Sequence, residues 1–96
     1  MKIENLEKCF FEANNKDKKY VGVLIQMEGF IEPEVIINKN VNFDSKFAYY
    51  KKAYDENLTL RSFNGIKIIG FTSGNSFSDI EKDLITGTYM DDDQSY

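Results

Sequence analysis

The stretch from Leu58 to Asp79 constrains the fold more than any other: LTLRSF, then Asn64-Gly65, then IKIIGF, then TSGNSFSD. It reads as a strand, a two-residue turn, a second strand, a glycine-containing loop and a helix start. A type I′ turn needs positive φ at both central residues, which Asn tolerates and Gly adopts without steric cost. The turn predicts a register in which Phe63 faces Ile66, Leu60 faces Ile69 and Leu58 faces Phe71. Directly opposed residues share a face, so Leu58, Leu60, Ile69 and Phe71 form one apolar patch. Phe63, Ile66 and Ile68 lie on the other face with Arg61. One face meets the core. The other is too apolar to stand bare, and is expected to take a second layer of the chain or a partner.

The flanking sequence supplies the other elements. Ile3, Leu6, Phe10 and Ala13 recur at spacings of three and four, with Cys9 beside them, which predicts a helix over 3–14. In YVGVLIQM, Val21, Val23, Ile25 and Met27 alternate with Tyr20, Gly22, Leu24 and Gln26, the period of a strand over 20–27. Glu28-Gly29 breaks the run. Pro33 cannot donate to a ladder and marks the start of a second strand, EVIIN, over 34–38. Asn42 or Asp44 can cap a helix reaching about Asn57, with Phe47, Tyr50, Tyr54 and Leu58 as its core stripe. After the 58–71 hairpin, a helix is predicted from about Phe77 to Thr86. Ser78 with Glu81 matches a capping box, Ser76 with Asp79 is a less complete match, and Gly87 suits the C-cap.

The expected fold class is α+β in the order α-β-β-α-β-β-α: a mainly antiparallel sheet of about four strands with helices packed on one face. A single domain is expected over 1–88, followed by an acidic disordered tail, 89–96, that carries Asp91, Asp92 and Asp93.

Composition narrows the chemistry. One cysteine, Cys9, allows no disulfide within the chain, which fits a reducing compartment. Its place in an apolar helical pattern predicts a buried thiol. The absence of histidine removes the usual zinc sites, Ser-His-Asp triads and histidine bases. No carboxylate pair or serine-nucleophile motif takes their place, so no catalytic residue, metal or cofactor is expected and the chain does not read as an enzyme. A net charge of −4 disfavours binding to duplex nucleic acid, where Lys and Arg must neutralise phosphates. No apolar run approaches a bilayer span, and MKIENLEKCF lacks the apolar core of a signal peptide, so a cytoplasmic location is expected.

Two groups of residues remain as candidate sites. The loop Thr72, Ser73, Gly74, Asn75 and Ser76 leads into a helix N-terminus, where free N–H groups and the dipole favour anions. Arg61 is the only arginine and therefore the only residue able to clamp a phosphate bidentately. Together with Tyr49 or Tyr54 these would form a site for a nucleotide or phosphorylated ligand. Glu28, Glu32 and Glu34, with Phe63 and Ile66 of the hairpin, would instead form a surface for a basic protein partner.

The segments MEGFIEPEVIIN, NFDSKFAYYKKAYDENLTL and GIKIIGFTSGNSFSDIEKDL resemble small uncharacterised proteins of phages and prophages of low-GC Gram-positive bacteria, over about residues 20–85. The resemblance carries no catalytic motif and transfers no site residue. It implies a context: an accessory protein, located in the host cytoplasm, that binds and inhibits or modulates a host defence or regulatory protein. The small-molecule reading is the alternative. A homodimer through the outer face of the hairpin is a third.

Overall fold

The alternation of Val21, Val23, Ile25 and Met27 places one strand at the centre of the molecule. In the computed structural model, which describes residues 1–86, that strand, β1 (Tyr20–Met27), lies between β2 (Glu34–Lys39) and β3 (Ile66–Gly74). Both pairings are antiparallel, with Val23 opposite Ile36 on one side and Phe71 on the other. Helix α1 (Ile3–Asn15) precedes the sheet. A 3₁₀ turn (Asn40–Asn42) and α2 (Phe43–Ala53) join β2 to β3, and α3 (Phe77–Thr86) follows. The order is α-β-β-α-β-α, with three helices and a three-stranded antiparallel sheet. The expected C-cap at Gly87 and the acidic tail lie outside the described residues.

The strand expected over 58–63 is reduced to two isolated bridges, Tyr54 with Leu60 and Thr59 with Lys67. The register is displaced by three residues from the Asn-Gly expectation: Leu60 N–H donates to Ile66 O at 2.8 Å and Ile68 N–H to Leu58 O at 2.9 Å. Two short turns, closed by Phe63 N–H to Leu60 O and Ile66 N–H to Phe63 O, occupy 60–66. Neither Asn64 nor Gly65 has positive φ, so there is no type I′ turn. The left-handed residue of this connection is Leu58, at φ 65°. Helix α2 stops at Ala53, four residues short of the expected Asn57, and Tyr54 is extended. Asp55 then organises a tight turn: its Oδ1 accepts the N–H groups of Asn57 (2.8 Å) and Thr59 (3.0 Å), and Leu58 N–H donates to Asp55 O. A short Asp side chain competes for local N–H groups in this way and ends the helix.

A β-bulge at Ile69 decides which side chains share a face. Ile25 pairs with Ile68 and its neighbour Leu24 with Gly70, leaving Ile69 as the extra residue. In an unbroken strand Ile68 and Phe71 would point to opposite faces. The bulge brings Ile66, Ile68 and Phe71 onto the face of Val21, Val23 and Ile25, where α1 and α2 pack with Leu6, Cys9, Phe10 and Tyr50, and the segment after α2 adds Tyr54 and Leu58. Ile69 turns to the other face, against Leu24, Ile80 and Leu84. The patch expected from Leu58, Leu60, Ile69 and Phe71 is therefore divided, and Ile68 joins the buried side.

The helices also divide. Helix α3 covers the second face, so the expectation of helices on one face is corrected: the sheet is sandwiched. Its close approach rests on glycine. Gly22 and Gly74 both lie under Ile80, and a Cβ on Gly22 would collide with Ile80 Cγ2. One polar side chain sits inside the main core. Asn38 Nδ2 donates to Val21 O (3.0 Å) and its Oδ1 accepts from Tyr50 Oη (3.3 Å), so its burial leaves no group unpaired.

Candidate functional site: an acidic, apolar tip

Among the described residues, the end of the sheet where β1 leaves for β2 carries the most exposed pair of adjacent large apolar side chains. Met27 to Phe30 is a four-residue turn, closed by Phe30 N–H to Met27 O at 3.0 Å, with Gly29 at φ 88°. Glycine is required there because the third position of such a turn has positive φ. The turn throws Phe30 and Ile31 outward, and they are 62% and 98% exposed. Gln26 Nε2 donates to Phe30 O at 3.0 Å and holds the turn against the sheet.

The 61–65 loop lies beside it. Glu28 N–H donates to Gly65 O at 2.7 Å, and both the Glu28 carboxylate and the Phe63 ring lie against Gly65, where a Cβ would push them aside. Phe63 is 48% exposed. Of the residues expected on a partner surface, Glu28, Phe63 and Ile66 therefore meet at one end, Ile66 opposite Met27 and half-buried against the core. Glu32 and Glu34 are exposed on the connection and the first residue of β2. The tip stays negative even counting Lys67, which pairs with Gln26, and Arg61, two residues before Phe63, because Glu28, Glu32 and Glu34 outnumber them. The pair Phe30-Ile31, which belongs to neither expected site, is the most exposed part of this surface; its sequence signal is two large apolar residues inside a turn.

The 72–76 loop is committed to its own structure. Ser76 is the N-cap of α3, its Oγ accepting Asp79 N–H at 3.1 Å, so the cap is Ser76 with Asp79 and not Ser78 with Glu81. Asn75 Oδ1 accepts Lys19 N–H at 3.1 Å. Thr72 is buried and its Oγ1 donates to Asp83 Oδ2 at 3.4 Å. Ser73 and Gly74 pair with Val21 and Tyr20 in the sheet. Arg61 does not join them. It adjoins the Ile66 end of β3, about 25 Å from Gly74 at strand rise. There it lines an open groove of about 590 Å³ with Tyr49, Lys52, Ala53, Leu60 and Ser62. Tyr54 is buried in the main core.

Cys9 is buried, and desolvation first, then the charge of Glu12, pushes its thiol up to about 12, the reverse of an activated nucleophile. Among the described residues no group of three Cys, Asp or Glu side chains is placed to hold a metal ion, and no helix is long and apolar enough to cross a membrane. Neither a protein-family model, a curated protein nor a solved structure matches this chain.

Proposed function

We propose that this is a binding protein that docks onto a basic protein surface through the Glu28–Glu34 and Phe63 tip. In the context implied by the phage proteins it resembles, it would act as an accessory factor that inhibits or modulates a host protein. The observation that carries the reading is Ile31, almost wholly exposed beside Phe30 on a turn held in place by Gln26 and Gly29. Burying Phe30, Ile31 and the exposed part of Phe63 in a partner is worth roughly 5 kcal/mol before the cost of association. The flanking Glu28, Glu32 and Glu34 select a basic partner and speed encounter with it.

The test is capture from a lysate of the bacterial host at low and high salt, with two variants alongside: Ile31→Asp, and Glu28→Lys combined with Glu32→Lys. The reading expects a stoichiometric partner with a basic surface, lost with Ile31→Asp and weakened by charge reversal or salt. An empty capture, or a partner retained equally by both variants, overturns it.

A further inference from the structure

We infer that the groove beside the C-terminal end of α2 is a second binding site, for a small phosphorylated aromatic molecule of the mononucleotide kind. In a chain of net charge −4, this concavity gathers Lys52 and the only arginine. Among the described residues, neither side chain has a carboxylate within ion-pair distance. A guanidinium offers the planar fork that matches a phosphate, and an ammonium adds a second charge.

The remaining lining suits the other half of such a ligand. Tyr49 is more than half exposed, yet its ring is braced edge-to-face by Tyr50, with centroids 5.4 Å apart at 64°. Tyr50 is itself buried and bonded to Asn38, so the ring that supports Tyr49 is held in the core. Ala53 and Leu60 give an apolar floor, and Ser62 brings a hydroxyl to the rim. A volume of about 590 Å³ is in the range of small-molecule sites.

The negative end of the helix dipole would oppose an anion here. Two of the carbonyls responsible are already occupied: Ala53 O accepts Arg61 N–H and Tyr50 O accepts Tyr54 N–H, both at 2.9 Å. Asp55, three residues from Lys52, holds the N–H groups of Asn57 and Thr59, and Glu56, five residues from Arg61, is exposed and within ion-pair distance of neither cation. The Arg61 to Ala53 bond also fixes the backbone of the cation against the helix. Two cations and one ring match one nucleotide, whereas a polymer would need a longer basic track.

The test is isothermal titration of the whole chain with AMP, GMP, CMP and UMP, and separately with inorganic phosphate and with adenosine. Saturable binding is expected for at least one mononucleotide, tighter than for phosphate or adenosine alone. Arg61→Gln and Tyr49→Leu, both exposed positions checked for folding by circular dichroism, should each weaken it about tenfold or more. No saturable binding up to about 5 mM overturns the inference. So does binding that survives both substitutions, or phosphate binding as tight as any nucleotide. The variant with Glu28→Lys and Glu32→Lys should keep the site, so this result and that of the tip are independent.

Discussion

Replacing Leu58 by alanine and, separately, by glycine tests the backbone conformation on which the whole α2–β3 connection turns. Leu58 is fully buried in the main core, yet sits at φ 65°, where its Cβ crowds the following carbonyl. Leu58→Ala removes three carbons from the core and should cost about 2–5 kcal/mol. Alanine keeps its Cβ and therefore keeps the left-handed strain of about 1–2 kcal/mol. Glycine sheds that strain. It also loses one more buried methyl, about 0.8 kcal/mol, and frees the unfolded chain by about 0.5–1 kcal/mol. The gain and the losses nearly cancel, so Leu58→Gly should match Leu58→Ala within about 0.5 kcal/mol. At an ordinary φ the strain relief would be missing, and glycine would be the worse by about 1.5 kcal/mol. Urea unfolding followed by far-UV circular dichroism reads the difference as a shift in midpoint at constant slope. A glycine variant less stable than the alanine variant by the full 1.5 kcal/mol or so would refute the left-handed turn, and with it the placement of Arg61 against Ala53.

Two further outcomes follow from the packing. Gly22→Ala pushes a methyl into Ile80, which is fully buried and has no room to swing. It should cost about 1–3 kcal/mol, seen as a lower Tm, and the loss should shrink when Ile80 is shortened to Ala in the same chain; additive losses would refute the contact. Burial raises both Cys9 and Tyr50 to about 12, Tyr50 against the opposing hydrogen bond to Asn38. Groups whose folded pKa is raised stabilise fully below their unfolded pKa and lose that contribution as pH climbs towards the folded one. From about pH 9 upward, Cys9 alone should lower stability by up to about 1.4 kcal/mol per pH unit, with Tyr50 joining above about pH 10. Urea midpoints from pH 8 to 11 should fall less steeply for Cys9→Ala than for the parent; equal slopes would refute the buried neutral thiol.

Much of the main core was legible as periodicity. The stripe Ile3, Leu6, Phe10 and Ala13, with Cys9 beside it, and the alternation Val21, Val23, Ile25 and Met27 each lie within one element, and each reaches the core, Ile3 and Met27 at its edge. The candidate site was legible in part. Glu28, Phe63 and Ile66 do converge, but through the bond from Glu28 to Gly65, a contact between segments 37 residues apart that no local pattern encodes. Arg61 and the 72–76 loop were joined by chemical type, although β3 separates them along its length.

The errors share a physical origin. Asn64-Gly65 favours a type I′ turn locally, but the gain from burying Leu58, Ile68 and Phe71 together outweighs that preference and moves the register by three. The bulge at Ile69 is likewise chosen by the two faces that must both be filled, since only an extra residue lets Ile68 and Phe71 share one. Gly22 and Gly74 lie at the close approach on the second face, but a missing side chain does not say which helix comes near. By itself the sequence determined what depends on neighbours within a turn or a strand: helix α1, the central strand, the absence of histidine chemistry and the acidic balance. Only the tertiary structure decided the register of β3, the side on which α3 lies, and which charged and aromatic groups face one another, because those rest on burial summed over segments far apart in the chain.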